Sequence, residues 1–348
     1  MKIGLIDVDG HNFPNIPLMK ISAYHKKQGD SVEWYDPMFS DDMDIVYMSK
    51  VFSFTQDYMF PIRAKEIKKG GSGYCISVVD GKEVYDKSKD IELPYEIEHI
   101  YPDYSLYQRE EISYDEDTGE KITRIVGMTV DTAYGFLSRG CPRGCSFCHV
   151  EAKEGRRTVK VADLSEFWDG QKNIVLCDPN ILACRQWKDL FQQLIDSGAW
   201  VDINQGIDIR LMTEEKAKML TQIKTKNLHF AWDRYEDKKL IIPKFEMFKR
   251  ISGYDERDMI VYTIVNYNTT IEQDLERIYT LKDLGYWAYV MIYNKEQLPK
   301  GSIYKKLQRW CNNRYIFGSG ISFEEYCKGN GKTDINIKNN MKLWGETE

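Results

Sequence analysis

Three cysteines in the segment GFLSRGCPRGCSFCHV (135–150) carry the most concentrated chemistry in the chain: Cys141, Cys145 and Cys148 follow one another as C-x3-C-x2-C. Thiols spaced this closely can converge on one metal centre, and Gly140 and Gly144 permit the tight turns that convergence needs. If the centre is a cubane iron-sulfur cluster, three thiolates leave one iron without a protein ligand, a vacancy suited to a cluster that binds something else. The same residues with His149 can also be written as a Cys3His zinc site. Structural zinc sites usually draw on two ligand pairs separated by a longer span, and a histidine directly after a cysteine has difficulty reaching the same ion. A third reading leaves the three as uncommitted core thiols.

The other five cysteines, Cys75, Cys177, Cys184, Cys311 and Cys327, have no spacing that asks for a metal, and Cys177 reads as a core residue within a strand. Eight cysteines would suffice for four disulfides in an oxidising compartment. However, MKIGLIDVDGHNFPN (1–15) has no apolar signal core, and no run of about 18 apolar residues occurs. A cytoplasmic setting without membrane attachment is therefore expected, where thiols remain available as ligands. The 348 residues, 42% hydrophobic and 29% charged, with 10 prolines and 24 glycines, suit two or three globular domains and exclude wholesale disorder or collagen-like repeats. A net charge of -6 argues against bulk electrostatic coating of nucleic acid, so a large nucleic-acid substrate is disfavoured.

The elements that must position the triad follow from periodicity. Strands are expected over 2–8, Ser31–Tyr35 and Asp44–Ser53, with a helix over Pro17–Lys27, giving a small Rossmann-like α/β domain over residues 1–79. Residues 80–130 read as a connector with one β ribbon between Glu110 and Ile125, turned at Asp117-Thr118-Gly119. From Asp131 on, strand-like runs at Tyr134–Ser138, Asn173–Cys177, Trp200–Asn204, Leu228–Trp232, Met259–Asn266 and Trp287–Tyr293 alternate with helical patterns at Gln186–Ser197, Thr213–Ile223, Pro243–Ile251 and Thr270–Leu284. Such alternation implies parallel strands with right-handed crossovers, and the expected fold class is α/β, with a partial (β/α)6 TIM-type barrel over 131–310. The triad then lies at the C-terminal end of the first barrel strand, the end where such folds place their chemistry. Residues 311–348 form a C-terminal extension and polar tail with an anchor at Leu343 and Trp344.

On these motifs the chain resembles the radical S-adenosylmethionine (SAM) enzymes, whose C-x3-C-x2-C loop carries an aromatic residue before the third cysteine, as Phe147 does here. The resemblance implies a 4Fe-4S cluster on Cys141, Cys145 and Cys148, SAM chelated at its open iron, reductive cleavage to a 5'-deoxyadenosyl radical, and an external electron donor such as flavodoxin or ferredoxin. The substrate is not identified. Carried over residue by residue, Asp178 and Asn180 in LCDPN (176–180) match the Asp-x-Asn element that approaches the SAM amino group. Gln205, Asp208 and Arg210 occupy the position of polar residues facing SAM, with a structural Asp208–Arg210 pair as the alternative. Asp233 stands where relatives often place the glutamate of Gly-x-Glu-Ser. Asn266 and Asn268 stand where relatives carry a glycine-rich ribose contact, beside a capping box from Thr269 or Thr270 with Gln273. Lys153, Arg156 and Arg157 are read either as an anion-binding cluster or as solvated cations.

The first hundred residues also resemble, with alterations, the cobalamin-binding domain that precedes the barrel in one branch of that family. Asp9, His11 and Pro14 fall on its D-x-H-x-x-G element, Ser49 and Val51 on its second element, and Gly70 with Gly71 on its third. Bound cobalamin would take His11 as cobalt ligand, with Asp9 on the other ring nitrogen. The alternatives are a domain that keeps this fold without the cofactor, a cobalamin-dependent methyltransferase, and a non-enzymatic iron-sulfur or zinc redox sensor. One cysteine before the triad, and no second tight group after it, weigh against methylthiotransferases and against branches with auxiliary clusters.

Overall fold

The structure is a computed structural model that describes residues 1–79, 82–115, 118 and 120–329. It is a mixed α/β chain built on three parallel sheets. Its contacts divide it into two compact units, one of Met1–Gln205 with Gln222–Lys224 and a second of Gly206–Thr221 with the chain from Thr225 on.

The first unit opens with β1 (Lys2–Asp7), α1 (Ile16–Lys27), β2 (Ser31–Trp34), β3 (Met43–Ser49) and β4 (Ala64–Gly70), whose strands form a sheet in the order β2-β1-β3-β4 with all pairs parallel. Alternation along β1 explains its two coats: Ile3 and Leu5 pack with Leu18 and Ile21 of α1, while Ile6 faces Tyr35, Met43, Val46 and Met48. Asn15 caps α1, its Oδ1 accepting from the Leu18 amide at 3.2 Å. β4 escapes pattern recognition because AKEIKKG is exposed along nearly its whole length; it is an edge strand guarded by lysines.

Next come α2 (Ser72–Cys75), the hairpin β5 (Ile76–Val79) with β6 (Lys82–Tyr85), α3 (Tyr95–Glu98), and the hairpin β7 (Arg109–Tyr114) with β8 (Lys121–Val126). A second ribbon, not expected from the sequence, thus straddles the start of the connector. The ribbon expected between Glu110 and Ile125 is present, with Glu110 opposite Ile125, whereas Asp117 and Gly119 of its expected turn lie outside the described residues. The connector acts as a strap. Trp34 Nε1 donates to Leu106 O at 3.0 Å and Tyr107 Oη to Asp7 Oδ2 at 2.6 Å, while Tyr104 Oη donates to Phe167 O at 2.7 Å and accepts from the Tyr134 amide at 3.0 Å.

The unit ends with β9 (Thr132–Gly135), β10 (Ser138–Arg139), α4 (Val150–Glu154), β11 (Val159–Lys160), β12 (Asn173–Leu176), α5 (Trp187–Ser197) and β13 (Trp200–Ile203). β9, β12 and β13 form a parallel sheet in the order β13-β12-β9. The second unit holds α6 (Glu214–Leu220), β14 (Leu228–Ala231), α7 (Lys238–Ser252), β15 (Met259–Val265), α8 (Ile271–Asp283), β16 (Trp287–Ile292), α9 (Ile303–Asn312), α10 (Arg314–Gly318) and α11 (Phe323–Lys328), with a parallel sheet in the order β14-β15-β16. All six expected β/α strands are therefore present, as two three-stranded sheets and not as one continuous sheet. After β13 the chain turns over Asn204 and Gln205, passes Gly206 at φ +91°, and pairs again as a parallel bridge from Ile207 to Phe230.

Helix α7 begins five residues before Pro243, where the pattern placed its start. The stripe of Ile241, Phe245 and Phe248 overrides the proline, with Phe230 packed 5.9 Å from Phe245 and 5.1 Å from Phe248. Leu343 and Trp344 lie outside the described residues. No helix among the described residues is long and apolar enough to cross a membrane.

An ion pair with no exposure to water joins the ends of two strands in the second unit. Arg277 donates to Asp274 Oδ1 at 2.5 Å, to Trp232 O at 2.7 Å and to Ile264 O at 2.7 Å, and both side chains are 0% exposed. Asp274→Ala leaves that guanidinium buried without its anion and should lower unfolding stability by about 3–5 kcal/mol. Urea unfolding followed by tryptophan fluorescence checks this; a loss of less than about 1 kcal/mol, typical of a surface pair, would contradict it.

Candidate functional site

The triad sits on a loop closed at both ends. β10 pairs antiparallel with β11, Ser138 opposite Lys160 and Arg139 opposite Val159, so the residues between them form a pinched excursion beyond the end of β9. Gly140, at φ +89°, opens it where the backbone runs under Arg157, whose carbonyl oxygen would lie 2.1 Å from an added Cβ. No L side chain fits there. Thr158 Oγ1 donates to Gly140 O at 2.9 Å, and Glu154 accepts from the Gly140 amide at 3.0 Å and from Arg139 at 3.1 Å. Inside, the Cys141 amide donates to Gly155 O at 3.2 Å and the Cys148 amide to Cys145 O at 2.9 Å. Cys141, Cys145 and Phe147 are partly buried and Cys148 is exposed.

No cysteine is in a disulfide. Among the described residues no three Cys, His, Asp or Glu side chains stand close enough together to hold a metal ion, so the loop presents its three thiols without gathering them. The donor chemistry nevertheless fits a soft metal centre, with three sulfurs on one glycine-hinged loop. His149 does not add to them: its Nε2 stands 3.2 Å from Glu83 Oε2 and its ring 6.3 Å from that of Tyr85, both on β6, which weakens the Cys3His zinc reading. Of the other five cysteines, Cys327 is partly buried and the rest lie in the core, as the sequence suggested for Cys177. Cys75, Cys177, Cys184 and Cys311 are buried, and burial pushes the Cys177 thiol up to about 12.

Two residues beyond β12 act on the loop. Asp178 is 0% exposed and accepts from the Leu137 amide at 2.9 Å, the Ser138 amide at 2.5 Å and Ser138 Oγ at 2.5 Å, pinning the chain as it leaves β9. Asn180, 3% exposed, donates from Nδ2 to the Cys141 sulfur at 3.5 Å. The sequence singled out both residues, but the structure turns them toward the loop's own atoms.

In the second unit Asp208 caps the turn Ile209–Leu211 and accepts from Arg210 Nε at 2.7 Å, while Arg210 also donates to Asp237 Oδ2 at 3.0 Å. Arg210 is thus clamped between two carboxylates, the second of which the sequence did not suggest, because Asp237 lies beyond β14 in a polar run without a motif. Asp233 follows β14, and burial pushes its carboxyl up to about 6 although Arg277 and Arg210 pull it down. Asn266 and Asn268 have φ of +62° and +51°, the left-handed region that glycine usually fills and that asparagine tolerates best among other residues. The backbone role of the missing glycines is therefore served by asparagines, and Asn266 Nδ2 is spent on Tyr293 O at 3.2 Å. The capping box belongs to Thr270 with Gln273. Gln205, in the first unit, is exposed. Arg156 is exposed and paired with Glu151, as a solvated cation would be, while Lys153 is partly buried.

The three cobalamin-like elements, two of them altered, meet at one end of the first sheet. Ser49 and Gly70 are paired ends of β3 and β4, and Gly71, at φ +97°, passes so close to Lys50 O that an added Cβ would lie 2.3 Å from it. Both oxygens of Asp9 serve the neighbouring loop, accepting from the Val51 amide at 2.5 Å and Thr55 Oγ1 at 2.6 Å, and the ring of His11 lies 4.2 Å from Trp34. Asp9 is therefore committed to a loop contact and not to His11. The sequence missed Asn15, whose Nδ2 donates to Ser49 Oγ at 2.8 Å, and Tyr107, which joins Asp7 to the Asn15 amide. Neither stands in a motif.

Burial pushes the Asp178 carboxyl up to about 6 against the pull of its three donors. An unfolded aspartate titrates near pH 4, so the folded chain holds this proton more tightly; the resulting stabilisation is complete below about pH 4 and is lost as pH rises through about 6. Asp178→Asn removes the titration, so the stability of wild type relative to this variant should fall by on the order of 2 kcal/mol between pH 4 and 7 in urea unfolding. A difference constant across that range would contradict the assignment. Comparison with protein-family models finds no match for this chain, and comparison with curated proteins finds none either.

Proposed function

We propose that this protein is a radical SAM enzyme, in which Cys141, Cys145 and Cys148 hold a 4Fe-4S cluster. The observation that carries the proposal is the place of the triad: a pinched loop beyond the C-terminal end of β9, an edge strand of a parallel sheet, fastened by Asp178. Such a cluster, once reduced, would supply the electron that splits a carbon-sulfur bond of SAM into methionine and a 5'-deoxyadenosyl radical, which would take a hydrogen atom from the substrate. The chain's own residues present the thiols and hold the loop. Asp178 fixes where it begins, Gly140 lets the backbone turn under Arg157, and Glu154 ties Arg139 to the Gly140 amide.

In this reading the two three-stranded sheets are halves of one partial (β/α)6 barrel. Support comes from their equivalent build: each adds successive parallel strands in one direction, β9 to β13 and β14 to β16, as successive segments of a β/α barrel do. Gln205, Asp208, Arg210, Asp233, Asn266 and Asn268 then all follow strand ends, where SAM and substrate would be met. The electron comes from outside the chain, from a flavodoxin- or ferredoxin-like donor, in the cytoplasm.

The test is product formation. Protein reconstituted anaerobically with iron and sulfide, reduced with dithionite and given SAM should release 5'-deoxyadenosine, detected by liquid chromatography and mass spectrometry. The Cys141→Ala/Cys145→Ala/Cys148→Ala protein should release none. Equal release by that variant would refute the proposal, and no release from cluster-loaded wild type would refute it in favour of a redox sensor. S-adenosylhomocysteine beside deoxyadenosine would mark methyl transfer as the outcome.

A further inference from the structure

The resemblance assigns Asn180 to SAM, but its side-chain nitrogen lies 3.5 Å from the sulfur of Cys141. We propose that Asn180 is a positioning residue that sets the reduction potential of the cluster through an N–H···S hydrogen bond to the Cys141 thiolate; this rests on the cluster reading above.

Both partners are held by bonds independent of their contact. Asn180 caps the turn Ile181–Ala183, accepting at its carbonyl from the Ala183 amide at 3.1 Å, and Ile181 and Leu182 anchor that turn at 2% exposure each. Two residues earlier, Asp178 is fastened by its three donors. On the other side, the Cys141 amide is tied to Gly155 O at 3.2 Å, directly after the obligatory turn at Gly140. These bonds fix the two backbone positions from which the Asn180 amide and the Cys141 sulfur meet.

The consequence follows from charge. Reduction adds one electron to a cluster already carrying thiolate charge, and part of that charge resides on the sulfurs. A donor N–H stabilises the more negative state more than the less negative one, so hydrogen bonds to ligand sulfurs raise the potential. Burial of Asn180 strengthens the effect, because water does not compete for the donor. The Cys141–Asn180 contact thus couples the end of β12 to the ease with which the cluster accepts its electron.

The test uses the full chain, reconstituted anaerobically, as wild type, Asn180→Leu, Asn180→Asp and Asn180→Ser, with iron and sulfide counted and the cluster titrated redox-potentiometrically by EPR in the absence of SAM. Asn180→Leu, which removes the donor at similar volume, should keep the wild-type iron and sulfide content and move the midpoint to a more negative value. Asn180→Asp, which sets an anion against the thiolate, should move it further, or release iron from a protein that circular dichroism shows to be folded. Asn180→Ser keeps a donor of shorter reach and should fall between wild type and Asn180→Leu. An unchanged or more positive midpoint in Asn180→Leu at full cluster content overturns the proposal, as does equal loss of iron in all three variants, which would mean that Asn180 only supports the loop. Absence of a cluster on wild type appears separately in the iron count and overturns the cluster reading itself.

Discussion

A carboxylate with no exposure to water holds this site together. Asp178 stands just beyond β12 and grips two amides and a hydroxyl at Leu137 and Ser138, on the segment that leads from β9 into the cysteine loop. Burying an unpaired carboxylate is costly, and three donors offset that cost only if the two strand ends keep their separation. The constraint therefore runs in both directions: β12 positions the loop, and the loop satisfies a group that β12 could not otherwise bury. The loop of the triad starts from this grip, because the chain between β10 and β11 has only the short helix α4 as regular structure and is otherwise shaped by its ends and by the turn at Gly140.

The other bonds around the loop extend the same logic. Glu154 reaches back to Arg139 and Gly140, and Thr158 closes the far side, so the excursion is tied at its neck while its tip carries the cysteines. A loop of this kind can keep its entry and exit fixed while its thiols gather on a metal. The partial exposure of the sulfurs suits a centre that must be loaded, reduced and met by a small molecule.

What was legible in the sequence follows from the strength of each signal. The six β/α strands were readable because they are short apolar runs between amphipathic helices, and α1 because Pro17 stands in its first turn and its pattern ends before Gly29, although its cap, Asn15, was missed. β4 was not readable, since AKEIKKG is an exposed edge with no apolar periodicity, and α7 was misplaced because a proline that usually opens a helix is here carried inside one by Ile241, Phe245 and Phe248. Division of the strands into two sheets was beyond reach, because strand pairing joins residues distant in sequence. At the site, spacing singled out Cys141, Cys145 and Cys148, and strand-end position singled out Asp178, Asn180, Asp208 and Arg210. Their partners were not deducible. Ser138 with Asp178, Asp237 with Arg210 and Tyr107 with Asp7 are contacts between residues distant in sequence or outside any motif, made by packing alone.

The central claim is that three thiols of one loop form a cluster site. Metal and sulfide analysis of protein purified anaerobically without reconstitution tests it most directly, with the triple cysteine-to-alanine protein beside it. Wild type should carry about four iron and four sulfide per chain, the content of one cubane, and the variant neither. Stoichiometric zinc without sulfide, or iron retained after all three cysteines are removed, would contradict it.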